Sequence, residues 1–86
     1  MDGKINILLV EDNKDFAKLV HVYLQRYDAD RFVVTWKENH SEAMAFLKEA
    51  PKVDIVLMDY FLPGKTGLEI AREIATAYEH IPIVFL

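Results

Sequence analysis

No cysteine occurs among the 86 residues. That excludes a disulfide framework and any cysteine-based zinc site, and it fits a cytoplasmic protein. Nor is there an excess of basic residues. Ten Lys and Arg stand against 14 Asp and Glu, a formal net charge of −4, which argues against nucleic-acid contact by this domain. No block of like charge reads as a tail. No apolar stretch exceeds the length of a strand, far short of the ~20 residues that span a membrane. Met1-Asp2-Gly3-Lys4 lacks the basic segment, apolar core and cleavage site of a signal peptide. Membrane contact is therefore not expected. Internal repeats, low-complexity segments and linkers are also lacking, and the length suits one small domain rather than two.

What is present is globular: 52% of the residues are apolar and 28% charged. Ile5 to Val10 is a short apolar run with β-branched residues, expected to be a strand buried on both faces. Asn13 is placed to cap a helix, with Asp15 favoured in its first turn. Phe16, Leu19, Val20, Tyr23, Leu24 and Tyr27 then recur at helical spacing, which predicts one apolar stripe belonging to the core. Arg31 to Trp36, rich in β-branched and aromatic residues, predicts a second strand. Asn39 or Ser41 can cap a second helix over Glu42 to Glu49 with Ala43, Phe46, Leu47 and Ala50 inward, and Pro51 ends it.

A third strand is expected over Asp54 to Met58. Thr66-Gly67-Leu68-Glu69 has the Thr-x-x-Glu form of a capping box. The helix it opens should turn Leu68, Ala71, Ile74, Ala75 and Tyr78 inward. Ile81 to Leu86 begins a fourth strand. The alternation β-α-β-α-β-α-β predicts an α/β domain with a parallel sheet and helices on both faces.

In such sheets ligands bind beyond the carboxyl ends of the strands. Glu11-Asp12 follows the first strand there, and Asp59 follows the third, ahead of Tyr60-Phe61-Leu62-Pro63-Gly64-Lys65. If those strands are parallel neighbours, three carboxylates meet at one sheet edge. Carboxylates crowded together repel and raise a pKa. A divalent cation relieves that, and Mg²⁺, which takes oxygen ligands and keeps several waters, needs only a few of them. Asp59 then becomes a candidate nucleophile, ionised by the cation, which also shields an incoming phosphoryl group. Two of the acids also have a plainer reading: Asp12 as a helix N-terminal acid, Asp59 as a turn residue. Lys65 reads as a solvated loop residue, and His21, His40 and His80 are too scattered to form a metal set.

Four features together resemble the receiver domain of bacterial response regulators. They are the acidic pair Glu11-Asp12 after the first strand, Asp59 after the third, Pro63 and Gly67 four and eight residues beyond it, and the order of elements. The resemblance runs from about Ile5 to Leu86. It implies a flavodoxin-like (CheY-like) doubly wound parallel sheet of order 2-1-3-4, lacking the last strand and helices. Residues 1–86 would be the N-terminal part of a receiver. It also implies that Asp59 is the phosphoacceptor, that Asp12, Asp59 and the backbone carbonyl of Tyr60 ligate Mg²⁺, that Glu11 does so directly or through water, and that the donor is a phosphohistidine on a sensor histidine kinase.

The family pattern further includes a Ser/Thr after the fourth strand and a lysine after the fifth, and no position here can be assigned to either. By formal charge the three acids sum to about −3, Mg²⁺ brings that to about −1, and an acyl phosphate returns it to about −2. Impaired phosphorylation is therefore expected, as is association into a homodimer or a swapped oligomer through an exposed fourth-strand edge. The rival readings are a phosphorylation-incompetent scaffold or dimerisation fragment and, less favoured, an aspartate-nucleophile phosphohydrolase. The latter usually carries a second Asp two residues after its nucleophile, where this chain has Phe61. An enzyme with ordinary turnover is not expected.

Overall fold

A computed structural model describes residues 3–49, 51–62 and 65–86, with 61, 62 and 65 by backbone alone. Strands β1 (Ile5–Val10), β2 (Phe32–Lys37) and β3 (Ile55–Met58) alternate with helices α1 (Lys14–Asp28) and α2 (His40–Lys48). A two-residue antiparallel ladder, β4 (Phe61–Leu62) with β5 (Lys65–Thr66), precedes α3 (Gly67–Ala77), and β6 (Ile83–Phe85) follows. The main sheet is parallel throughout, in the order β2-β1-β3-β6. Counting its own strands, that is the expected 2-1-3-4.

Local chemistry sets the helix starts. Asn13 Oδ1 accepts from the Phe16 N–H at 3.0 Å, and Asn39 Oδ1 from the Glu42 N–H at 2.9 Å, each satisfying a donor that has no partner within its helix. The second helix begins at His40, so Asn39 and not Ser41 is its cap. Before α3 the capping box is complete. Thr66 Oγ1 accepts from the Glu69 N–H, and Glu69 Oε1 accepts from the Thr66 N–H, both at 3.2 Å.

Side chains alternate across the sheet. Leu8, Val10, Val56 and Met58 point to one face, where Ala43 and Leu47 of α2 and Ile70 and Ile74 of α3 close over them. This is the principal core. On the other face Ile7, Leu9 and Ala17 are buried.

Two expectations about the helices are corrected. The α1 stripe is not core: Phe16, Leu19, Tyr23 and Tyr27 are exposed, Tyr27 to 83%, while Ala17 is buried and Val20 and Leu24 are half-buried. Among the described residues α1 is the one helix on its face, so only the narrow strip that touches the sheet is covered. In α3, Leu68 and Ala75 are exposed, and the fully buried residues include Ile70, one position round from the expected set. Ala50 and Pro63 lie outside the described residues. Among those described, no helix is long and apolar enough to cross a membrane.

Candidate metal centre

The parallel register aligns β1 with β3, Val10 opposite Met58. The ladders continue one residue past both strands. The Asp59 N–H donates to the Val10 carbonyl and the Glu11 N–H to the Lys37 carbonyl, each at 3.0 Å. Those bonds carry Asp59 to the residues that follow β1. Carboxylate oxygens of Glu11, Asp12 and Asp59 all lie within 4.8 Å of one another. The three acids singled out in the sequence thus converge. They line a cavity of about 390 Å³ that Asn13, Phe16 and Leu86 complete.

Their environments differ. Glu11 is 3% exposed, Asp59 is intermediate and Asp12 is exposed. Burial is the largest influence on Glu11 and pushes its carboxyl up to about 7. The Asn13 N–H, which donates to Glu11 Oε2 at 3.1 Å, pulls the other way. The neighbouring carboxyl groups of Asp59 and Asp12 add to the rise.

Residues that fit a hard cation should be oxygen donors close enough to share it. At Mg–O distances of ~2.1 Å, ligands on opposite sides of an octahedron stand about 4.2 Å apart, so three oxygens within 4.8 Å of one another need only a small adjustment to share one ion, with water completing the shell. The Glu11 carboxyl is raised chiefly by burial and further by the neighbouring Asp59 and Asp12, and a cation bound there would oppose the rise by favouring the ionised form. The residues present fit Mg²⁺.

Three supports of the site were not apparent from the sequence. The Trp36 indole Nε1–H donates to the Glu11 carbonyl oxygen at 2.7 Å, fixing the acidic turn from the neighbouring strand. Gly67 packs on the backbone of the Asp59-Tyr60 segment, and its N–H donates to the Tyr60 carbonyl. The Leu86 N–H donates to the Met58 carbonyl at 2.9 Å, which sets the wall of the cavity beside Asp59. Of the scattered histidines, His40 Nε2 lies 2.6 Å from Glu73 Oε2, joining α2 to α3 away from the acids.

Residues 7–86 match the response regulator receiver domain family. The chain belongs to that family. It is 36% identical to the transcriptional regulatory protein RprY of Bacteroides fragilis over its whole length, but covers 35% of that protein. Among solved structures, a response regulator receiver domain protein from Clostridium thermocellum superposes with a TM-score of 0.84 over 94% of this chain and 63% of its own, at 21% identity. TrrA from Thermotoga maritima, solved in complex with Mg²⁺ and BeF, superposes with a TM-score of 0.82 at 29% identity, over 94% of this chain and 67% of that one. This receiver chain therefore spans about a third of the curated relative and about two thirds of the solved ones.

Proposed function

We propose that this receiver domain is a Mg²⁺-dependent phosphoacceptor in a two-component phosphorelay, with Asp59 receiving the phosphoryl group from a phosphohistidine of a sensor histidine kinase. The observation that carries this reading is the meeting of Glu11, Asp12 and Asp59 within 4.8 Å. A carboxylate oxygen of Asp59 attacks phosphorus, the P–N bond of the phosphohistidine breaks, and its electron pair stays on the imidazole. Asp12, Asp59 and the Tyr60 carbonyl would hold the ion, with Glu11 directly or through water. The Tyr60 carbonyl accepts from the Gly67 N–H, and a carbonyl oxygen, with two lone pairs, can accept a hydrogen bond and ligate a metal together. Mg²⁺ supplies charge neutralisation, while the chain supplies position.

Among the described residues, none of the side chains lining the cavity is cationic. An acyl phosphate on Asp59 returns the formal charge of the three acids and the ion to about −2, and it should be short-lived. Incubation with Mg²⁺ and acetyl phosphate, followed by intact mass, tests the proposal. Transient labelling that disappears with Asp59→Asn supports it, and the absence of any label in the parent chain under Mg²⁺ refutes it.

A second reading, association through the sheet edge, is favoured by β6. It is an outer strand, and Val84, Phe85 and Leu86 are 44%, 40% and 47% exposed. An open apolar edge templates pairing with another chain.

A further inference from the structure

A second concavity lies between α1 and β2. It measures about 460 Å³ and shares no residue with the acidic cavity. Its floor is apolar, with Val22 from the helix and Val34 and Trp36 from the strand. Its rim is basic: Lys14, Lys18 and His21 follow one another at helical spacings of four and three along α1. No carboxylate lines it among the described residues. In a chain of net charge −4, an apolar trough edged only by basic side chains is a local reversal of sign.

We propose that this groove is a binding site for a small amphipathic anion, an unbranched medium-chain carboxylate. The size suits such a ligand. Lining residues run from Lys14 to Val22, and at a rise of ~1.5 Å per residue the helix side is about 12 Å long, the span of an extended chain of about ten carbons. The carboxylate sits at the Lys14 and Lys18 end, where two ammonium groups offer charge-assisted hydrogen bonds. The hydrocarbon lies along Val22 and Val34. Charge complementarity selects this occupant: a neutral chain would gain nothing from the two ammonium groups, and a cationic one would be repelled.

Trp36 gives the site its own readout. It is the chain's single tryptophan, its ring lines the groove, and its Nε1–H is bonded to the Glu11 carbonyl. Decanoate, titrated into the full chain below its micellar concentration, should change Trp36 fluorescence saturably with one-to-one stoichiometry. The double variant Lys14→Glu, Lys18→Glu should weaken binding by about tenfold or more, with the helical circular dichroism unchanged because both lysines are exposed. Val22→Asp should weaken it without touching the rim. Decanol should bind more weakly than decanoate. Asp59→Asn should leave decanoate binding unchanged, which separates this site from the acidic one. No saturable response, equal binding of decanol, or undiminished binding by the double lysine variant would each overturn the proposal.

Discussion

Gly67 stands directly against the backbone of Tyr60. Its N–H donates to the Tyr60 carbonyl, and a Cβ at position 67 would lie 2.6 Å from Tyr60 Cα and 2.8 Å from the Asp59 carbonyl oxygen. Both obstructing groups are main chain, so neither can swing aside. The segment bearing Asp59 is therefore clamped by the first residue of α3, and only a residue without a side chain permits the clamp.

Gly67→Ala should accordingly shift Asp59 and Tyr60 together. Overpacking of this kind costs about 1–3 kcal/mol, and the displaced carboxylate should also bind Mg²⁺ more weakly. Urea denaturation with and without Mg²⁺ reads both effects. Parent-like stability and Mg²⁺ affinity in the variant would show that the contact is tolerated.

Glu11 sets a pH dependence. Its carboxyl is raised from 4.5 to about 7 in the folded chain, chiefly by burial. Between those values the unfolded chain is ionised at this position while the folded one keeps its proton. Folding takes up a proton there, so stability falls as pH rises through the window, by on the order of 3 kcal/mol in all. Asp54, held low mainly by the Asn6 N–H, changes its contribution only below the ordinary carboxylate range, so it does not interfere. The metal-free chain should be more stable near about pH 5 than near about pH 8. Saturating Mg²⁺ and the substitution Glu11→Gln should each flatten the difference. A metal-free chain more stable at the higher pH would contradict this assignment.

The box at the start of α3 makes a smaller, local prediction. Thr66 Oγ1 satisfies the Glu69 N–H and Glu69 satisfies the Thr66 N–H. Thr66→Ala leaves one of these donors without its acceptor and should cost about 1 kcal/mol, whereas Thr66→Ser should cost little. Equal denaturation midpoints for both variants would mean that water replaces the hydroxyl without loss.

These relationships differ in how far along the chain their causes reach. Asn13, Asn39 and Thr66 cap helices through bonds that span three residues, so residue type and spacing were enough to foresee Asn13 and Thr66 and to narrow the second cap to Asn39 or Ser41. The convergence of Glu11, Asp12 and Asp59 was also legible, because parallel neighbouring strands bring their carboxyl ends to one edge whatever the details of packing. Periodicity, by contrast, shows which side chains share a helix face and not how wide a strip its neighbours cover. Phe16, Leu19 and Tyr23 share the expected stripe and are nonetheless exposed. Likewise the first turn of α3, with apolar residues at Leu68, Ile70 and Ala71, does not reveal that Ile70, rather than Leu68, faces the sheet. The Trp36 bond to Glu11 joins residues 25 apart in sequence. It depends on strand register, and no local pattern announces it. Gly67 was visible as part of a motif, but its reason, a backbone approach, is a tertiary fact.

The outer strand carries the last prediction. β6 pairs with β3 through Val56–Ile83, Leu57–Val84 and Met58–Phe85, and it ends the sheet among the described residues. Its exposed Val84, with Leu86 beyond it, adds an apolar surface to the open edge. Natural edges are blunted by charge, especially lysine, and this one has none between Ile81 and Leu86. The 86-residue chain should therefore self-associate at micromolar concentration, measured by light scattering coupled to size exclusion. Val84→Lys places a charge on the strand that a second chain would have to desolvate, and it should shift the population toward monomer. The Tyr60–Phe85 ring contact, with centroids 5.6 Å apart, involves the next residue along β6, and near-ultraviolet circular dichroism can confirm that the strand remains docked in the variant. A parent chain that elutes as monomer at every concentration would show that the exposed edge is not sticky enough to pair.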